Sequence, residues 1–206
     1  MLTGLDPAWL ATVVVATALP LLLAIGTSFA KSQIVLASLR HALGAGSVPS
    51  DLVITAVAAA WTAAVMTPLL EQLPSATTWL SGGVADGWQA PWRAFLLANA
   101  GQPELEAALR ISGQSAAHAD VGVATALMAF SLTELREAFV LSFAVVVPFF
   151  VIDLALGATL TVAGLQSVPP SSVAVPLKLL LFGSAGGWLL VSQNLLTGYV
   201  FPAAGP

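Results

Sequence analysis

The sequence contains no cysteine and very few charges. Without thiols it forms no disulfide, no thiolate metal site and no cysteine nucleophile. Only 8% of its 206 residues are charged, whereas about a quarter are charged in a typical soluble domain. Ten acids and six bases give a net charge of −4, which excludes a basic stripe for nucleic acid. His41 and His118 are isolated and lack metal-ligand spacing, so we expect neither a metal nor a cofactor.

Apolar residues make up 58% of the chain and give it a mean hydropathy of +0.93. They form four long stretches, at residues 8–29, 52–70, 138–164 and 173–200. The first is long enough to cross a ~30 Å hydrocarbon core, which takes ~20 residues. It lacks the basic start of a signal peptide, so we expect it to be retained, with cleavage near Ala30 as the alternative.

The fold class predicted from these stretches is all-α, with membrane-associated helical hairpins. We divide the chain into an N-terminal hydrophobic hairpin (1–70), a periplasmic-side helical region (71–133) and a C-terminal hydrophobic hairpin (134–206). Lys31 and Arg40 are the only bases in the first 92 residues and are predicted to lie in a loop. By the positive-inside rule these two topology determinants place that loop in the cytoplasm.

The middle region is predicted to contain short helices at residues 89–99 and 104–111. A cap packed on the membrane helices and an interfacial amphipathic helix are the two interpretations of this region. Both make it a small helical insertion between the hairpins.

Ser131 is predicted to cap the start of the third long helix, with Glu134 completing a capping box three residues later. Glu134 and Glu137 would then lie in a solvated first turn, with a role at a pore mouth as the alternative. Pro148 removes a backbone hydrogen bond inside this helix, which predicts a kink or two half-helices.

Asp153 and Lys178 are ionisable residues inside apolar stretches, where such groups are costly and usually paired. Asp153 is interpreted as a paired residue or as a proton-relay or pore residue. If the turn is centred near Pro169, a straight hairpin separates the two by roughly 10 Å at 1.5 Å per residue. An intersubunit pair or a kinked hairpin is therefore expected.

Six motifs occur in one order along the chain. They are TSFAK (27–31), IVLASLRHALG (34–44), VMTP (65–68), ELREAF (134–139), PFFVID (148–153) and PLKLLLF (176–182). Together they resemble the SctR/FliP (YscR/HrcR) family of inner-membrane export-gate proteins of type III secretion injectisomes and bacterial flagella. The resemblance covers nearly the whole chain and is loosest over residues 71–129.

The resemblance implies a multi-pass inner-membrane protein without enzymatic activity. It implies a homo-pentamer that assembles with SctS/FliQ-like and SctT/FliR-like subunits, near SctU/FlhB-like and SctV/FlhA-like export proteins, into a pore for unfolded proteins. In that family the hairpins form a cone raised largely above the bilayer. Flagellar members generally begin with a cleaved signal peptide, so the short start of this chain favours the injectisome branch.

One departure concerns the turn after the third helix. Family members carry a methionine-rich gasket there, and its positions in this chain hold no methionine. The resemblance makes Val162, Leu165, Gln166 and Ser167 the pore or gate candidates. A small-molecule or proton transporter and a non-gating scaffold of the secretion apparatus are the alternative functions.

Overall fold

A computed structural model describes residue 17 and residues 24–44, 49–72, 89–114 and 121–202 of the chain. The predicted first stretch falls mostly outside the described residues. Within them the structure is helical and contains no strand, which confirms the all-α fold class. The helices are α1 Phe29–Leu43, α2 Asp51–Leu70, α3 Gln89–Ala98, α4 Gln102–Ser112, α5 Val123–Val162, α6 Pro170–Ser184 and α7 Gly187–Leu196.

Helix α5 is the central helix of the fold. It runs for 40 residues, about 60 Å at 1.5 Å per residue, and α1, α3, α4 and α6 all pack against it. The predicted start after Ser131 is wrong, because α5 begins eight residues earlier and Ser131 lies in its interior. Its hydroxyl donates to the Leu127 carbonyl at 2.6 Å, the back-bonding that serine makes within a helix.

Pro148 does not divide α5 into two half-helices, since the helix continues through it to Val162. The break occurs in the fourth apolar stretch instead, where α6 and α7 meet at a bend of 65°. Gly186 lies between them at φ 64°, a left-handed conformation that favours glycine. A side chain on Gly187 would overlap the ring of Phe182, so the two glycines make the sharp bend possible.

The predicted loop around Lys31 and Arg40 is wrong, because both residues lie in helix α1. Val35, Leu36, Leu39 and Leu43 are buried along one face of it, and α1 makes the most extensive helix contact with α5. The spacing of these four residues is that of an amphipathic helix. The two bases in the same segment, Lys31 and Arg40, led to the prediction of a loop. Arg40 in fact holds the turn into α2, through an ion pair with Asp51 and a bond to the Pro49 carbonyl at 3.2 Å.

Two apolar cores hold the helices together. One lies among α1, α2, α5, α6 and α7, and includes Val35, Ala138, Phe149 and Leu195. The other lies among the end of α2, α3, α4 and the first turns of α5, and is centred on Phe95. The short helices α3 and α4 confirm the predicted helical insertion, and both pack on α5 as a cap does.

Two described helices, α2 and α5, are long and apolar enough to cross a membrane, and the bent pair α6 and α7 makes a third if it counts as one span. Many of their large apolar side chains are exposed, for example Phe143 and Leu180. Since water does not solvate such surfaces favourably, they face lipid or other protein, and the chain is embedded in a membrane.

Candidate functional site

Four side chains form a buried ionic network between α1, α5 and the C-terminal segment, residues 197–202. The Lys31 ammonium lies 3.0 Å from Glu134 and 3.0 Å from Glu137. The Lys31 and Glu134 side chains are only 5% and 4% exposed, whereas Glu137 is 44% exposed. The Lys31 Nζ also lies 4.4 Å above the centre of the Tyr199 ring, a cation–π distance.

Tyr199 completes this network from the C-terminal segment. Its hydroxyl is 2.9 and 3.1 Å from the two carboxylate oxygens of Glu134. Burial, and then the negative charge of Glu134, raise the pKa of the Tyr199 phenol. It therefore stays protonated, and its O–H donates a hydrogen bond to the carboxylate.

The C-terminal segment is fixed in place around Tyr199. The Asn99 side chain donates to the Val200 carbonyl and accepts from the Val200 amide, both at 2.8 Å. The rings of Tyr199 and Phe201 stack on Phe95 with centroids 6.4 and 5.3 Å away. These contacts hold the phenol over Glu134 with little freedom.

The expectation that Glu134 lies in a solvated, capped first turn is wrong, because Glu134 is 3 turns inside α5 by helix geometry and faces α1. Sequence reasoning also missed Tyr199 as a member of this network. No local pattern connects positions 31, 134 and 199. The topology role of Lys31 and Arg40 stays a prediction.

A second ionic contact joins α5 to α6. Lys178 Nζ lies 2.6 Å from the Asp153 carboxylate and donates to the Ala42 carbonyl, near the end of α1, at 2.8 Å. The distance of roughly 10 Å along the hairpin, which favoured an intersubunit pair, is absent. Asp153 lies nine residues before the end of α5 at Val162, and Lys178 lies eight residues after the start of α6. The hairpin alone therefore pairs them, because the turn occupies residues 163–169 rather than a single position.

The four gate candidates Val162, Leu165, Gln166 and Ser167 lie together at the tip of the α5–α6 hairpin. All four are exposed, Val162 at 90% and Leu165 at 49%. Gly164 at φ 72° ends the helix, and the Leu165 amide donates to the Leu160 carbonyl at 3.0 Å, as in a Schellman cap. Within the described residues, the tip thus exposes the apolar Val162 and Leu165 beside the polar Gln166 and Ser167.

A polar cleft of about 400 Å³ opens beside the ionic network, lined by Lys31, Arg136, Glu137 and Tyr199 among others. Arg136 borders it and binds Glu104 through Nε at 2.6 Å. In the described part of the chain no group of three or more His, Cys, Asp or Glu residues is placed to hold a metal ion. The charged residues of the site pair with one another, an arrangement that joins helices rather than activating a reactive group.

Comparison with known proteins agrees with the motifs. The family model of the FliP family matches residues 12–195. The chain is 30% identical over 210 residues to the surface presentation of antigens protein SpaP of Shigella flexneri, covering 95% of this chain and 97% of that protein. It is 33% identical over 198 residues to the hypersensitivity response secretion protein HrcR of Ralstonia nicotianae, covering 88% and 91%.

A flagellar relative matches over a similar part of the chain. The flagellar biosynthetic protein FliP of Caulobacter vibrioides is 30% identical over 203 residues, covering 90% of this chain and 73% of that protein. The family model matches most of the chain, and the relatives are 30–33% identical over most of their length. The chain therefore belongs to the FliP family.

Proposed function

We propose that this protein is a core subunit of a type III protein-export apparatus and forms part of its gate in the inner membrane. The observation that carries the proposal is the match of residues 12–195 to the FliP family, whose relatives are named for secretion and for flagellar biosynthesis. The substrate would be unfolded protein, which needs a path and no catalysis.

The gate itself is assigned to the α5–α6 hairpin tip. Leu165 and Val162 are exposed there in the part of the chain that the structure describes. In a ring of copies the tips would converge on the axis and cover one another. A seal made of Leu, Val and small residues would rely on close packing, since it lacks the flexible thioethers of methionine.

The partners proposed for the ring are further copies of this chain, five in all, with SctS/FliQ-like and SctT/FliR-like subunits. SctU/FlhB-like and SctV/FlhA-like proteins would act beside it. The exposed apolar faces of α5 and α6 supply surface for such contacts, for example at Phe143, Phe150 and Leu180. We propose a multi-pass position in the bacterial inner membrane, with residues 71–133 on the periplasmic side and the injectisome as the machine.

Native mass spectrometry tests the assembly. The protein is purified in mild detergent, expressed alone and with the partner subunits from its own locus. A ring of five copies that gains the partners is expected. A monomer or dimer under every condition would contradict the proposal and favour a transporter.

Cysteine crosslinking tests the gate. Because the chain has no cysteine, a single cysteine at Leu165 reports only on contacts between copies of the tip. Crosslinked dimers are expected for Leu165→Cys and not for Ile111→Cys, an exposed position on α4. Equal crosslinking at both positions would mean that the tips do not converge, and the scaffold interpretation would then be preferred.

A further inference from the structure

An apolar groove, distinct from the ionic network, runs between α5 and the bent pair α6 and α7. Its volume is about 450 Å³, within the range of ligand-binding pockets. Apolar side chains line it almost throughout, including Leu141, Val145, Phe149, Ile152 and Leu190. Both helices of the pair contribute to its lining, and they meet at a bend of 65°.

The groove and the polar cleft are continuous. Asn194 of α7 lines both of them, and on α5 the last cleft residue, Glu137, is one helical turn before the first groove residue, Leu141. An occupant of the two together would have a long apolar part and a polar end.

The length of the groove matches that of a lipid acyl chain. Along α5 the groove extends from Leu141 to Ile152, about 17 Å at 1.5 Å per residue. An acyl chain spans half of a ~30 Å hydrocarbon core, which is about 15 Å. A lipid acyl chain therefore fits the groove with its headgroup at the cleft.

The charges of the cleft select the headgroup. Lys31 and Arg136 face Glu134 and Glu137, and Glu104 also binds Arg136, so an anion receives no net attraction. Arg136 uses Nε for Glu104, and its other N–H groups can bind a phosphate. Glu137 is 44% exposed and binds Lys31 through one oxygen, which leaves the other for an amine.

We propose that the groove and cleft form a binding site for a zwitterionic, amine-bearing phospholipid such as phosphatidylethanolamine. Its acyl chain lies against α5 and α7, its phosphate on Arg136 and its amine on Glu137. The site goes beyond the proposed export function and does not depend on it.

Native mass spectrometry of the delipidated full chain in mild detergent tests the site, with phosphatidylethanolamine and phosphatidylglycerol of identical acyl chains as the probes. We expect phosphatidylethanolamine to bind about threefold to fivefold more tightly, the effect of one partly exposed ion pair. Glu137→Gln, which removes the partner of the amine, should bring the two affinities together. Arg136→Gln removes the partner of the phosphate that both lipids carry, so it should weaken the binding of both and leave the preference in place. Glu106→Gln, exposed on α4, should leave the preference unchanged.

A second pair of variants tests the groove. Ala144→Phe fills the groove, where Ala144 is a lining residue, and should abolish tight binding of both lipids. Ala155→Phe, exposed on the same helix outside the groove, should not. Equal binding of the two lipids, or lipid binding unaffected by Ala144→Phe, would overturn the proposal. So would a second copy or a partner subunit that Ala144→Phe displaces while lipid stays bound.

Discussion

Replacing Lys31 with methionine tests whether the buried ionic network stabilises the fold. The substitution keeps the length of the side chain and removes the charge from a site where Lys31 and Glu134 are 5% and 4% exposed. Glu137 can turn toward solvent, because it is 44% exposed. Glu134 stays buried, and among the described residues it keeps only the Tyr199 hydroxyl as a partner.

The expected cost follows from that burial. Removing one member of a buried ion pair destabilises a protein by about 3–5 kcal/mol, because the other charge stays uncompensated. The Tyr199 bond offsets part of this, so we expect about 3 kcal/mol for Lys31→Met. Lys31→Met/Glu134→Met removes both charges and should recover most of the loss, since apolar replacement of a buried pair is often neutral.

The assay is equilibrium unfolding in mild detergent, followed by far-ultraviolet circular dichroism for wild type, both single variants and the double variant. Arg110→Met, an exposed base in the last turn of α4, is the control and should change stability by less than about 0.5 kcal/mol. A loss below about 1 kcal/mol for Lys31→Met, or a double variant no more stable than the single ones, would refute the buried-pair argument.

Three further outcomes are expected. Tyr199→Phe should cost about 1.5–3 kcal/mol, because it removes a hydrogen bond to a charged group. The folded-state pKa of Tyr199 lies above its ordinary 10.0, so this stabilisation is complete below pH 10 and declines above it as the unfolded phenol ionises. Equilibrium unfolding at several pH values measures this change. Gly187→Ala should lose about 1–3 kcal/mol, because the new methyl group overlaps the Phe182 ring, whereas Gly157→Ala, with open space around it, should gain up to about 1 kcal/mol in the same unfolding assay. Leu165→Ser should raise the ion leak through the assembled complex and alter secretion, measured as conductance and as secreted protein in cells; an unchanged leak would count against a seal at the tip.

The local signals of the sequence were sufficient for some elements and misleading for others. The short helices α3 and α4 and the apolar helices could be predicted, because periodicity and hydropathy act within one segment. The Ser131–Glu134 pattern gave a false helix start, because a capping box has the same residues as an ordinary helix interior when the preceding segment is also helical. The bases of α1 misled in the same way, since Lys31 is charged yet buried.

The sequence by itself determined that the protein is helical, membrane-embedded and a member of its family, because low charge, long apolar stretches and ordered motifs are properties of the chain alone. Only the tertiary structure decided the partners of its charges. Lys31 meets Glu134 across 103 positions, and Tyr199 reaches Glu134 across 65. Such pairs follow from how helices pack and how wide the turns are, and a buried charge is stable only where packing brings its partner to it.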